Sequence, residues 1–514
     1  MRIAAKMALL LAGATLIDLR PAGAQCIPEP LEYAVAPNTT DPAIDTDLER
    51  HLAVVNPALP LRPELVVWFS GSGGRPRSQR RFLREAAAAG YRVIGVNYPN
   101  FPSVRELCNP QQPEDPACYE NVRLERLDGT DRGPLVDVSP ANGITNRIVK
   151  LLAYLDAQQP DQGWGEFLDG ETPRWERFIV AGHSQGGGMA AIIGKQHEVA
   201  RVLMLSWKDI LSLLTPAPWL SAAKQTPGDR YYGLSHQHSS PVPEEAAWDA
   251  LGLPGTTVDV DVTPGPFAAA HRLTTDVLPQ SGDYEDAHGS VVVDGATPLR
   301  ADGTPLLSDV WRYMLGAMPT AVTPVRTSSL TLKDGSTQAD SRKRSVSFRS
   351  ATRSDPPESQ VVLPALGGPG DPTVSGAVLR LFNSEYGGEV ASVVLPAAGW
   401  KALGSPARPQ GYAFTDRNDG APLRMVTVRA SMLSLRGGKE GWCFTLDEPQ
   451  QGRIGIGLTL GTGLELCADA PARATGSPPS TAANDRVDRF VAAPNTPAPA
   501  ACPLAPRPPL PPVP

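Results

Sequence analysis

The chain is 514 residues long and holds 54 prolines and 48 glycines, more sequence than one hydrophobic core organises, so at least two domains and many loops are expected. A formal net charge of −7 without a long basic block excludes the electrostatic footprint of a nucleic-acid binder. After the amino-terminal segment no run approaches the roughly 18 apolar residues of a membrane helix, so no transmembrane segment is expected.

Met1-Arg2-Ile3 with Lys6, an apolar stretch from Met7 to Ile17 and then Ala22-Gly23-Ala24 fit a secretory signal cleaved after Ala24. Six cysteines in an exported chain read as disulfides. Cys108 with Cys118 and Cys443 with Cys467 are the local pairs, leaving Cys26 and Cys502 to join the termini or stay free. The cysteines lack the close spacing of a zinc site, and no cofactor or metal is expected.

From Glu64 onward strand-like and helix-like runs alternate, as in a parallel sheet with crossover helices. Leu65–Ser70 reads as a strand, Arg77–Ala89 as a helix and Tyr91–Tyr98 as the next strand. After an excursion from Pro99 to Pro140 comes the amphipathic Ala141–Ala157. Phe178–Ala181 is a strand, Gly186–Lys195 a helix, and strands follow at Arg201–Leu205 and Tyr231–Ser235. Glu244–Leu251 is a helix, Thr256–Val262 and His271–Asp276 are strand-like, and Pro305–Leu315 closes the unit. Beyond about Met318 short alternating runs, among them Ser328–Leu332, Ala377–Phe382 and Gly455–Leu460, mark an antiparallel β-domain. The expected organisation is a signal at 1–24, an α/β unit at 25–318, a β-rich domain at 319–470 and a Pro/Ala-rich disordered tail at 471–514.

Chemistry concentrates around Ala181-Gly182-His183-Ser184-Gln185-Gly186, a G-x-S-x-G pentapeptide between strand and small-residue helix. That is the context of a nucleophile elbow, where a sharp turn holds a serine hydroxyl exposed beside a base. The first strand runs into Ser70-Gly71-Ser72-Gly73-Gly74, a turn whose amides are candidates for oxyanion donors. Ser72 is the chosen donor, with the N–H of Gln185 as the second. His288, in Asp286-Ala287-His288-Gly289, lies after the last strand, where the base belongs in chain order. The loop after Ser235 carries no carboxylate before Pro243, so the acid is open: Asp209, just after the preceding strand, is favoured over Glu244, and a Ser184–His288 dyad with a weak orienter is the third arrangement. His236 and His238, two apart on a strand, lack a third ligand at metal-site spacing.

The segment Glu64–Leu315 resembles the α/β-hydrolase superfamily, in particular secreted bacterial members that share Cys118-Tyr119-Glu120-Asn121-Val122-Arg123, Gly182-His183-Ser184-Gln185-Gly186-Gly187 and Ala287-His288-Gly289-Ser290. The resemblance implies a mostly parallel sheet with helices on both faces, Ser184 as nucleophile and His288 as base. Ser239 stands in the loop where related enzymes commonly carry the acid. The second half, with Leu395-Pro396-Ala397-Ala398-Gly399-Trp400 and Phe444-Thr445-Leu446-Asp447, looks like a β-domain recurring in exported bacterial proteins. The expected function is a secreted serine esterase or lipase acting on a small-molecule or lipid ester. The rival is a hydrolase-fold binding protein whose acid was lost. Pro99–Pro140 and Leu211–Arg230 are candidate lids or pocket walls.

Overall fold

A computed structural model describes residues 24–211, 214–301, 303–319, 321–334, 343–351, 361–385, 389–474, 484–503, 505–506, 510 and 512. The expected signal segment, up to residue 23, lies outside them.

One nine-stranded sheet organises the first half. In chain order its strands are β1 (Leu31–Val35), β2 (His51–Val55), β3 (Leu65–Phe69), β4 (Arg92–Val96) and β5 (Phe178–His183). They continue with β6 (Arg201–Leu205), β7 (Tyr231–His236), β8 (Thr257–Asp259) and β9 (Arg272–Thr275). The spatial order is β8-β9-β7-β6-β5-β3-β4-β2-β1, and β3 to β9 pair in parallel wherever they are neighbours. The antiparallel β1 and β2 were not anticipated. Leu-Glu-Tyr-Ala-Val and His-Leu-Ala-Val-Val are short runs with no crossover helix pattern between them, and such runs are ambiguous by periodicity alone.

Strand β3 shows why the sheet is covered on both sides. All five residues are buried, and they divide by the two-residue period of a strand. Val66 and Trp68 enter a core with Phe82 and Leu83 of α1 (Arg80–Ala88), while Leu65, Val67 and Phe69 enter another with Val122 and Ile148 of the opposite layer. That layer contains α2 (Cys118–Asp128), α3 (Ile144–Gln158), α4 (Gln185–Gln196) and α5 (Pro241–Leu251). The short α6 (Ala287–Ser290) carries His288, and α7 (Ser308–Leu315) packs Trp311 against Phe82 at 5.7 Å between ring centroids. A doubly covered parallel sheet needs near-continuous hydrophobic strands, which is the texture the sequence shows. This is the α/β-hydrolase architecture, followed by a β-rich domain.

The second domain is a sandwich of a six-stranded and an eight-stranded sheet whose inner faces share one core, including Leu330, Phe348, Leu379, Val393, Leu435 and Ile456. Two expectations are corrected here. Gln25–Cys26 belongs to the six-stranded sheet, pairing antiparallel with Val393 and Val394, so these two residues are part of the sandwich and not of the α/β unit. The segment after 471 expected to be disordered contributes Arg489–Val491 to the eight-stranded sheet, with Phe490 fully buried, and its Pro506 and Leu510 line a cavity beside Arg84 and Ala88 of α1.

The disulfides follow the same layout. Cys108–Cys118 forms as expected, but the other bonds are Cys26–Cys443 and Cys467–Cys502. Cys443 follows a strand of the eight-stranded sheet and Cys467 lies within the six-stranded one. They do not flank a common hairpin, and each instead meets a cysteine from one end of the chain.

Candidate active site

Ser184 sits at the carboxyl end of β5, the edge where open α/β sheets bind ligands, with φ 54° and ψ −124°. A positive φ on a residue with a Cβ costs on the order of 1–3 kcal/mol and is retained only where surrounding structure enforces it. Here its amide donates to Leu205 O of β6 at 2.9 Å and its carbonyl accepts from Gly187 N–H at 2.9 Å. The flanking glycines make the turn sterically possible. A Cβ on Gly182 would stand 2.2 Å from the Gly186 carbonyl, and one on Gly186 only 2.0 Å from Phe69 O.

The turn after β3 lies against this serine, since a Cβ on Gly71 would come within 3.1 Å of Ser184 Cβ. Asn100, buried after β4, pins it: its Nδ2 donates to Gly71 O and Gly74 O at 3.0 and 2.9 Å, and its Oδ1 accepts from Gly73 N–H at 3.2 Å. Gln185 ties the same loops together through its side chain. Its Oε1 accepts from Ser72 Oγ at 3.1 Å and from Val104 N–H at 2.9 Å, while its Nε2 donates to Asn100 O at 2.9 Å. The backbone N–H groups of Ser72 and Gln185 find no acceptor among the described residues.

His288 lines the same cavity of about 780 Å³ as Ser184 and Ser72. Its carbonyl accepts from Nε2 of His183 at 2.8 Å, and the two rings lie 4.8 Å apart. The buried His183 is held neutral, its pKa pushed down to about 3 by burial with His288 adding to the effect. At Nδ1 of His288 the partner is the Ser239 hydroxyl, 3.1 Å away. Desolvation of the ring and, secondarily, the Lys208 ammonium hold the His288 pKa below its ordinary value.

Neither expected acid reaches this histidine, and both assignments are corrected. Asp209 is almost wholly buried and spends both oxygens elsewhere. It takes a bidentate pair from Arg123 at 2.6 and 2.7 Å and the indole N–H groups of Trp207 and Trp219 at 3.1 and 3.2 Å. Arg123 in turn donates to Gln185 O at 2.9 Å, so the ion pair braces the start of α4. Gly188 is the residue that admits the guanidinium, since a Cβ there would lie 2.2 Å from Arg123 Cζ.

Glu244 is fully buried on α5 and neither carboxylate oxygen has a hydrogen-bond partner among the described residues. Burial pushes its pKa up to about 8, against the opposing pull of Lys208. The folded state therefore keeps the proton that the unfolded chain releases near pH 4.5, and stability falls as pH rises from there towards 8. Glu244→Gln, which keeps the shape of the neutral acid, should raise the melting temperature at pH 7–8, by on the order of 1–3 kcal/mol in stability, and leave it unchanged at pH 4. Thermal denaturation at the two pH values checks this.

Sequence reasoning missed Asn100 and Arg123. Asn100 carries no pattern that distinguishes it from any loop asparagine. Arg123 stood inside a quoted motif, Cys118–Arg123, whose parts now have reasons: Cys118 bonds Cys108, Glu120 pairs with Lys195 at 2.5 Å and Arg123 holds Asp209. His236 and His238 are committed as well. His236 bonds Val277 O at 3.0 Å, and His238 pairs with Asp276 at 2.8 Å while stacking on Tyr284.

No family model matches the chain, and no curated protein matches it by sequence. Among solved structures it is similar to the dienelactone hydrolase of Anabaena variabilis, at 13% identity over 51% of this chain and 94% of that one, with a TM-score of 0.26. A bacterial heroin esterase is 19% identical over 56% of this chain and 83% of that one, TM-score 0.27. The Francisella virulence factor BioJ is 11% identical over 56% and 85%, TM-score 0.30.

Proposed function

We propose that this protein is an exported serine hydrolase that cleaves a carboxylic ester. The observation that carries the reading is Ser184, held at φ 54° on the carboxyl edge of the sheet, with His288 in the same cavity. Ser184 Oγ adds to the ester carbonyl carbon as its proton passes to His288. Collapse of the tetrahedral adduct expels the alcohol, which takes that proton and leaves an acyl-enzyme. Water, deprotonated by His288, then releases the acid and restores the serine. The amides of Ser72 and Gln185 are the donors for the oxyanion. Ser239 orients the base: accepting from Nδ1–H, its hydroxyl keeps the other ring nitrogen unprotonated. The three disulfides support export, disulfides being features of oxidising compartments. A fluorophosphonate probe should label the wild type on the peptide containing Ser184, mapped by mass spectrometry. Labelling elsewhere removes the assignment.

A neutral hydroxyl at Nδ1 also favours a second reading, a hydrolase scaffold that binds ligand and turns it over poorly. Ser239 holds the ring, yet unlike a carboxylate it does little for the imidazolium that forms during acyl transfer. Ser239→Asp separates the two. On an active esterase it should raise kcat roughly tenfold or more and shift the acid limb of the kcat/KM profile upward, because a neighbouring carboxylate favours the protonated ring. If the wild type is silent towards all esters and activity arises only in Ser239→Asp, the binding-protein reading stands.

A further inference from the structure

Around the Ser184–His288 cavity the charged side chains fall into two groups. Arg123 and Asp209 neutralise each other, His238 is paired with Asp276, and Glu106 is spent on the Ser103 cap, accepting Ser103 N–H at 2.7 Å. Lys208 and Arg105 are different. Both line the cavity, and neither ammonium nor guanidinium has a hydrogen bond or salt bridge among the described residues. Lys208 is half-buried: burial chiefly lowers its pKa, Glu244 opposes the fall and the Arg105 charge adds to it, while the Lys208 charge adds to the burial that disfavours the protonated state of His288. Glu244 lies within electrostatic reach behind Lys208 but keeps its own proton at neutral pH. Glu285 is the one uncommitted carboxylate on the cavity wall, against two uncommitted cations. A half-desolvated ammonium without a counter-ion is costly unless something else supplies the charge.

The rest of the wall is mixed, polar and apolar surface in near-equal shares. Six serines face the cavity, and its larger apolar or aromatic side chains are confined to Phe101, Val104, Trp207 and Tyr284. A long acyl chain needs a continuous apolar wall, whereas a few convergent polar groups in a cavity of this size fix a small ligand. Resting on the serine-hydrolase reading, we propose that Lys208, with Arg105 beside it, selects small esters that carry a carboxylate, the ammonium holding that carboxylate while Ser184 attacks the ester carbonyl. Lys208 is a specificity-determining residue on this view. It stands three residues after the end of β6, in Ser206-Trp207-Lys208, on the wall of the cavity that holds the nucleophile.

The test compares two p-nitrophenyl esters matched in carbon count, the neutral valerate and the mono-ester of glutaric acid, at a pH above the titration of His288. The expected result is a kcat/KM preference of about tenfold for the anionic ester that shrinks in 1 M salt. It should disappear in Lys208→Met and reverse in Lys208→Glu, while Glu285→Gln strengthens it. Equal rates on the two esters in wild type, or a ratio unchanged by Lys208→Met, overturn the selectivity and leave the hydrolase reading intact. Should neither ester turn over, calorimetry on Ser184→Ala with monomethyl glutarate and dimethyl glutarate decides the matter independently of catalysis. Tighter binding of the anion that is lost with Lys208→Met upholds the carboxylate site. Equal or absent binding of the two overturns it.

Discussion

Ser184→Ala and His288→Ala should each lower kcat on an activated ester by roughly 10⁴-fold or more, and the double variant should be no worse than either alone. Nucleophile and base act as one unit: without the hydroxyl there is no proton for the histidine to take, and without the base the hydroxyl is a weak nucleophile. Their losses therefore cannot add. Substrate binding should survive, because the turn pinned by Asn100 and the cavity wall remain in place. Single-turnover kinetics on the purified variants, with circular dichroism to establish folding, supply the measurement. Additive losses would mean that one of the two residues works outside the acyl-transfer step.

Asp209→Asn should damage the fold rather than the chemistry. The substitution removes half of a bidentate pair and leaves the Arg123 guanidinium, with 2% of its side chain exposed, without a compensating charge. Breaking a buried pair from one side costs about 3–5 kcal/mol, a large share of the roughly 5–15 kcal/mol that separates folded from unfolded domains. Because Arg123 also holds Gln185 O, the loss is felt at the first turn of α4. The expected outcome is a strongly lowered melting temperature, poor yield, and near-normal kcat per folded molecule. An orienting acid of a catalytic triad behaves in the opposite way, with kcat falling by about 10⁴-fold on an intact scaffold. Measuring kcat beside the melting temperature separates the two.

The contrast shows what the sequence did and did not reveal. Ser184 was legible because its demand is local: a strand, two glycines and a helix of small residues within ten positions. His288 was legible through chain order. The partner of His288 was not, because it is decided by how two loops 49 residues apart pack over the sheet edge. Asp209 looked suitable by position, and only the fold shows Arg123 arriving from a helix 86 residues earlier to claim it. Strand positions from β3 to β9 followed from alternation and burial, whereas β1 and β2 carried no periodic signal. In the sandwich the cysteine spacing misled, since proximity along the chain favoured Cys443 with Cys467, whereas Cys467 meets Cys502, 35 residues on, and Cys443 meets Cys26, 417 residues away.

That last bond has a consequence for how the molecule is made. Cys26 and Cys443 are separated by 417 residues, so one half of the bond is synthesised that many residues before the other and waits for it. The α/β unit, whose sheet is complete by β9, can form first. The sandwich follows, because the other strands of its six-stranded sheet begin at Ala321 and only then reach back to the edge strand Gln25–Cys26. A carboxyl-terminal fragment made alone would present an open edge at Val390–Leu395 and should accept a peptide spanning residues 24–28 in trans as its missing strand.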